Sequence, residues 1–238
     1  MVTSVEEKFL RKIKEEKGQG KAVVLLSGGM DSTTLLYDVR SRGYEVFPIS
    51  FYYGQKHERE VGVANSTCRK LGLPHKKLDV RVLGKVAPSA LTRYDVGIPE
   101  GHYREESMKQ TVVPNRNMVL LALATAYAIG IEAGSVWYGA HGGDHVIYPD
   151  CRPLFVHAMS AAIGLCDWLG VKLEVPYLDW SKEQILRKGL DLGVDYSLTW
   201  TCYLGEELAC GKCGACVERL EAFGKVGIKD PIGYIGGS

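Results

Sequence analysis

Short runs of consecutive apolar residues alternate along the chain with longer stretches whose apolar positions recur every three or four residues. Lys21-Ala-Val-Val-Leu-Leu26 is continuously apolar after its first residue and ends in Ser-Gly-Gly, the pattern of a strand buried on both faces. From Asp31 to Arg40, Leu35, Leu36 and Val39 share a helical face, and Gly43 supplies a stop. The alternation continues with a strand over Tyr44–Phe51, a helix over His57–Leu71 closed by Gly72, and a strand over His75–Val80. An Ala/Leu helix follows over Asn117–Ile129, then a strand over Ser135–Gly139, a helix over Leu154–Leu169, a strand over Lys172–Val175 and a helix over Lys182–Leu192. Such alternation predicts an α/β fold, a mostly parallel five-stranded sheet flanked by helices. Sheets of this kind bind ligands beyond the carboxyl ends of their strands, so the loops at 27–34, 52–60 and 139–152 are where chemistry is expected.

The remaining segments are less regular. Residues 1–20 read as an appended amphipathic helix with Val5, Phe9 and Ile13 on one side, suited to surface packing or self-association. Residues 81–115 carry weak periodicity and several breakers, and are expected to form an excursion that serves as a lid. The expected division is an N-terminal extension at 1–20, a nucleotide and substrate domain at 21–195 and a small cysteine-rich helical module at 196–238.

Composition narrows the function classes. The 238 residues carry 29 Lys and Arg against 28 Asp and Glu, a balance that argues against a general nucleic-acid-coating protein. With 46% apolar and 24% charged residues the chain has the make-up of a packed protein. The most apolar stretch, Met118–Ile131, falls well short of the ~20 residues a bilayer span needs. The N-terminus is too charged for a signal peptide and too acidic for a transit peptide, so a cytoplasmic location is expected, with no membrane partner.

Ser27-Gly28-Gly29-Met30-Asp31-Ser32-Thr33-Thr34 lies between the first strand and the first helix. Paired glycines let the backbone approach an anion, the helix N-terminus offers free N–H groups, and the hydroxyls of Ser27, Ser32 and Thr33 add donors. Asp31 can cap the helix or help to hold a magnesium ion. The segment is neither G-x-x-x-x-G-K-[ST] nor G-x-G-x-x-G. It matches the S-G-G-x-D-S-[ST] motif of the ATP-pyrophosphatase (PP-loop) superfamily, also grouped as adenine nucleotide alpha hydrolase-like.

Four of the seven cysteines crowd near the C-terminus as Cys202, Cys210, Cys213 and Cys216, spaced C-x7-C-x2-C-x2-C. Four thiolates at this spacing suit a structural, tetrahedral zinc site, with an iron–sulfur cluster as the rival. Cys68 and Cys166, both on helices, are expected to be small buried hydrophobes.

Together with the phosphate loop, Phe51-Tyr-Tyr-Gly-Gln-Lys-His57 with Glu60, Val113-Pro-Asn-Arg-Asn117, Tyr148-Pro-Asp-Cys-Arg152 with Phe155, and Thr199-Trp-Thr-Cys202 make the chain resemble the 7-cyano-7-deazaguanine synthase family of queuosine biosynthesis. The resemblance covers roughly Lys21 to Phe223. It implies an ATP-dependent carbon–nitrogen ligase, usually a homodimer, that converts 7-carboxy-7-deazaguanine and ammonia to the nitrile through an acyl-adenylate and an amide. Leu26, Ser27, Gly28, Gly29, Met30, Asp31, Ser32, Thr33, Thr34, Leu35 and Leu36 would then hold ATP, and Asp31, Lys56 and Arg116 would serve catalysis. Lys56, His57 and Arg59 read either as phosphate contacts or as a solvated helix start. For the base, Asp144 and Asp150 can accept the paired N–H groups of a deazaguanine, Tyr148 can stack on it, and Arg152 can pair with its carboxylate or with a phosphate. A loop ion pair is the alternative for Asp150 and Arg152.

The chain departs from the family pattern around this pocket. Pro153-Leu154 stands where a carboxylate is expected before Phe155, and Val146-Ile147 stands where many relatives carry Ser-Gly. An enzyme that stops at the amide, one that joins the acid to another amine such as a protein, and a tRNA-modifying relative are the rival activities. A non-catalytic nucleotide-binding module is the rival from another class.

Overall fold

The computed structural model describes residues 20–56, 59–102 and 105–236. Five strands, β1 (Lys21–Leu25), β2 (Glu45–Tyr52), β3 (Lys76–Asp79), β4 (Ser135–Trp137) and β5 (Lys172–Glu174), form one sheet in the order β3-β2-β1-β4-β5. Every pairing is parallel, with Val23 opposite Phe47 on one side and Val136 on the other. The expected sheet is therefore borne out. The helices are α1 (Met30–Ser41), α2 (Arg59–Leu71), α3 (Arg81–Val86), α4 (Arg116–Gly130), α5 (Pro153–Leu165), α6 (Lys182–Asp191) and α7 (Gly214–Val226).

β1 is buried on both faces because its alternate side chains enter different cores. Val23 and Leu25 pack with Leu120, Leu121 and Ala124 of α4, whereas Ala22 and Val24 pack with Leu35, Leu36 and Val39 of α1. Each of these fully buried Leu or Val side chains contributes about 1.5–3 kcal/mol relative to exposure. Residues 106–130 are apolar enough over a long enough stretch to cross a membrane, and α4 within that stretch turns its inner face onto the sheet as a core helix. α6 begins at a capping box in which Ser181 and Gln184 satisfy one another's backbone N–H groups.

Three local expectations need correction or extension. The helix after Arg152 ends at Leu165 rather than Leu169, because Gly164 and the Asp167–Gly170 turn interrupt it. Cys68 is buried as expected, but Cys166 is exposed just beyond the end of α5. Residues 81–115 contain α3 and a 3-10 turn at Glu106–Thr111, and Leu83 and Leu91 pack there against Tyr53 and Val113. The expected helix at 1–20 lies outside the described residues except for Gly20.

The C-terminal segment is fastened by Arg219 of α7, which is fully buried. Its guanidinium forks onto Asp230 at 2.7 and 2.9 Å and donates also to Thr199 Oγ1 and the Tyr196 carbonyl, while Tyr234 O–H donates to the same carboxylate at 2.6 Å. Removing one partner leaves the other charge buried and unpaired, at a cost of about 3–5 kcal/mol. Arg219→Met is therefore expected to lower the unfolding free energy by an amount in that range in urea titration. A loss below roughly 1 kcal/mol would show that Asp230 finds another partner.

Candidate active site

The chain runs outward from β1 to β3 on one side and from β4 to β5 on the other, so the strand order reverses between β1 and β4. A crevice forms beyond the carboxyl ends of such strands. Here a cleft of about 230 Å³ opens, lined by Ser27, Gly29, Asp31 and Ser32 of the loop and by Arg116, Asp144 and Tyr148 among others.

The loop is tightly fixed. Gly28 has φ +92°, and a Cβ there would stand 2.3 Å from the Glu60 carbonyl oxygen, so only glycine fits between the loop and the first turn of α2. The Gly28 carbonyl accepts from the Trp200 N–H at 2.9 Å. Ser27 Oγ and Ser32 Oγ lie 2.9 Å apart, and Ser27 Oγ also accepts from the Gly29 N–H. Gly29 caps α1, whose first-turn N–H groups point outward without helical partners, as in anion-binding helix starts. Asp31 forms no cap, contrary to one of its two expected uses. Met30, Leu35 and Leu36 bury their side chains in the cores and Thr34 Oγ1 bonds to Met30 O and Tyr196 O–H, so of these four only the backbone is available to a ligand.

Arg116 opens α4 because Asn115 adopts φ +61°, a left-handed conformation that Asn tolerates better than most residues. The guanidinium is held between two aromatic rings, with centroids at 5.5 Å (Tyr53) and 5.9 Å (Tyr148), and donates to Tyr53 O–H at 3.3 Å. Burial opposes its charge, but the surrounding tyrosines and Asp150 raise its pKa well above the ordinary value. Glu60 also lines the cleft, and burial pushes its carboxyl up to about 8 despite the opposing effect of Arg116. Tyr148 O–H is 3.2 Å from Thr111 Oγ1 and 3.1 Å from Tyr203 O–H, which fixes the ring at the cleft wall.

A cluster around Asp31 has no counterpart in the expectations. Lys182 at the start of α6 is buried and lies 3.1 Å from Asp31 Oδ2 and 2.6 Å from Glu218 Oε2. Burial alone would raise the Asp31 carboxyl, but the Lys182 ammonium and His141 outweigh it and keep the group ionised. Burial likewise disfavours the Lys182 charge, yet Asp31, Glu218 and Asp144 hold its pKa above the ordinary lysine value. Asp144 is raised, chiefly by burial, with Glu218 and Asp31 adding repulsion. Lys182 and Glu218 lie on amphipathic helices where charged residues usually face water, so no local pattern marks them.

Other expected residues stand apart. Asp150 Oδ2 accepts from the Asn117 N–H at 3.1 Å and thereby stabilises the start of α4 instead of lining the cleft. Arg152 is exposed and donates to the His145 carbonyl at 2.9 Å. Lys56 Nζ donates to the Val96 carbonyl, away from the cleft wall, and Arg59 stacks on Trp200 at 3.7 Å. Thr33 Oγ1 is buried beside the loop without a hydrogen-bond partner among the described residues. His57 lies outside the described residues.

The four C-terminal cysteines meet as their spacing suggests. Cys202, Cys210, Cys213 and Cys216 bring their sulfurs within 4.8 Å of one another, a group able to hold a metal ion. The Sγ atoms of Cys210 and Cys216 are 3.9 Å apart, close to the ~3.8 Å edge of a tetrahedron with 2.3 Å metal–sulfur bonds. Backbone N–H groups of Lys212 and Cys213 point at Cys210 Sγ at 3.4 and 3.3 Å.

Comparison with known proteins gives a consistent result. The family model described as "Queuosine biosynthesis protein QueC" matches residues 21–227. The 7-cyano-7-deazaguanine synthase of Methanoregula boonei is 63% identical over 90% of this chain and 99% of its own length. The protein of the same name from Caldicellulosiruptor bescii is 62% identical over 90% of this chain and 97% of its own, and that from Marinobacter nauticus 56% over 89% and 96%.

The raised Glu60 pKa has a consequence for stability. Between the ordinary carboxyl value near 4.5 and about 8 the folded protein binds more protons at this residue than the unfolded chain, so its contribution to stability falls as pH rises through that window. Glu60→Gln removes that contribution. The stability of the variant relative to the parent should increase from pH 5 to pH 9 in urea titrations; a constant difference would mean that Glu60 ionises normally.

Proposed function

The chain belongs to the QueC family of queuosine biosynthesis proteins, and on that premise we propose that it is an ATP-dependent carbon–nitrogen ligase making 7-cyano-7-deazaguanine from 7-carboxy-7-deazaguanine and ammonia. The observation that carries this reading is the cleft itself, which lies at the β1–β4 switch point and is lined both by the glycine-rich 27–32 loop and by the half-buried Arg116. The substrate carboxylate attacks the α-phosphorus of ATP, and the bond to the β-phosphate breaks, releasing pyrophosphate against the 27–32 loop and Lys182. Ammonia then attacks the acyl carbon and AMP leaves, which gives the amide. A second ATP adenylates the amide oxygen, and loss of AMP and the remaining N–H proton leaves the nitrile. Side chains position groups and neutralise phosphate charge, and none is required as a covalent nucleophile.

Arg116, fixed between two tyrosines, suits the adenylate phosphate or the substrate carboxylate. Asp144, which lines the cleft, is the better placed of the two expected carboxylates for accepting the base N–H pair, since Asp150 is engaged at α4. Asp31 Oδ1 is buried without a hydrogen-bond partner and offers a hard oxygen to magnesium, whose chemistry would be charge neutralisation on the triphosphate. The cysteine set suits zinc in a purely structural role, because four thiolates leave no open position. A cytoplasmic homodimer is part of the same reading. Leu154 and Leu165 of α5 and nearby Trp168 are exposed, an apolar face of the kind a second copy covers.

Two tests follow. Mass spectrometry after mixing the protein with 7-carboxy-7-deazaguanine, MgATP and ammonium should reveal the nitrile and two AMP per product, with turnover lost in Arg116→Ala. Accumulation of the amide would favour the shorter reaction, and an untouched acid would overturn the substrate. Cys213→Ser should lose most of its zinc in elemental analysis and lower the Tm in parallel; unchanged zinc, or iron in its place, would contradict the structural zinc site.

A further inference from the structure

The first turn of α2 lies against the phosphate loop, so closely that a Cβ on Gly28 would stand 2.3 Å from the Glu60 carbonyl oxygen and 3.1 Å from the Ala64 backbone nitrogen. Glu60 is the second residue of that helix, and it and Val61 both line the cleft. The close approach fixes the backbone that carries the Glu60 side chain relative to the loop. Among the described residues its carboxyl has neither a hydrogen bond nor an ion pair. Arg116 of α4, Tyr53 after β2 and Cys202 of the C-terminal segment act on it only through their charge.

The other ionisable groups that line the cleft are engaged. Asp31 and Lys182 pair at 3.1 Å, and Arg116 donates to the Tyr53 hydroxyl at 3.3 Å. Tyr138 and Cys151 share a hydrogen bond of 3.2 Å, and burial pushes both further from ionisation. The Tyr148 hydroxyl lies between those of Thr111 and Tyr203. Asp144 stands 3.6 Å from Nε2 of His141 and is the carboxylate proposed for the base N–H pair. Glu60 is left with a carboxyl that no binding role occupies.

The proposed reaction has a task for such a group. Ammonium has no lone pair and cannot attack an acyl carbon, so it must first give up a proton. A carboxylate in the cleft attracts the cation, and it accepts the proton readily if its own pKa lies near the working pH. Burial, which outweighs Arg116, brings Glu60 into that range by raising it to about 8. An ordinary carboxylate, near 4.3, would be a weak base.

We propose that Glu60 is a further catalytic residue, the base that converts ammonium to the attacking ammonia beside the acyl-adenylate. One N–H bond of ammonium breaks with its electron pair staying on nitrogen, and the proton joins a Glu60 carboxylate oxygen. Nitrogen then bonds to the acyl carbon as the carbon–oxygen bond to AMP breaks. The proton shed by the acylated nitrogen leaves with AMP, and the one on Glu60 passes to solvent. This inference rests on the adenylation reading, with ammonia as the amine.

The test uses the full chain with 7-carboxy-7-deazaguanine, MgATP and varied ammonium. Glu60→Gln is isosteric and removes no hydrogen bond among the described residues. At pH 7 its kcat/KM for ammonium should fall about a hundredfold. At pH 9, where the solution itself supplies free ammonia, the deficit should shrink to a small fraction of that. Glu60→Asp, which keeps a carboxylate, should retain more ammonium turnover at pH 7 than Glu60→Gln. Acid-dependent ATP–pyrophosphate exchange, which needs no ammonium, should keep its parental rate in both variants. An undiminished kcat/KM at pH 7 would overturn the proposal. A deficit of the same size at both pH values, or a matching loss of exchange, would also overturn it, since Glu60 would then hold the adenylate or the loop. Absence of exchange in the parent protein would instead overturn the adenylation reading.

Discussion

One ammonium group ties the molecule together. Lys182 Nζ is shared between Asp31, which lies within the 27–34 loop, and Glu218, which lies on the helix that begins at the cysteine cluster. Charges this deeply buried are tolerated only in company, and loss of any one member leaves the others uncompensated. The pairing therefore couples three elements remote in sequence: the start of α1, the start of α6 and the middle of α7. It also sets the electrostatics of the cleft, because an ionised Asp31 and a charged Lys182 stand together where, in the proposed reaction, a triphosphate and its metal ion must be received.

The C-terminal segment is accordingly part of the site. Trp200 holds the Gly28 carbonyl, Tyr196 occupies the Thr34 hydroxyl, and Arg219 fastens this segment to Asp230 through an enclosed network. A metal at Cys202, Cys210, Cys213 and Cys216 would brace the same segment from its other end. On the proposed reading such a metal would act on the cleft through packing, by holding the residues that contact the 27–34 loop.

Much of this was legible in the sequence, for identifiable reasons. The strands were visible because β1 is buried on both faces and so reads as an unbroken apolar run, and the phosphate loop because its glycines and hydroxyls are contiguous. The cysteine site was visible because three of its four members, Cys210, Cys213 and Cys216, are spaced at every third position. Lys182, Glu218 and Arg219 were not, since a buried charge on a helix looks the same in sequence as a solvated one until its partners are brought from elsewhere in the chain. Asp150 and Arg152 illustrate the converse. Their motif is distinctive, but Asp150 accepts from a backbone N–H at the start of α4 and Arg152 donates to a loop carbonyl, contacts with the backbone rather than the ion pair that was the alternative for them.

The central claim is that this cleft activates a carboxylate by transferring the AMP portion of ATP to it, and the fate of the carboxylate oxygens tests it most directly. With 7-carboxy-7-deazaguanine labelled with ¹⁸O in both carboxylate positions, the two AMP molecules formed per nitrile should each carry one labelled oxygen, and pyrophosphate none. Label in inorganic phosphate accompanied by ADP, or AMP free of label, would contradict adenylation and with it the role assigned to the loop.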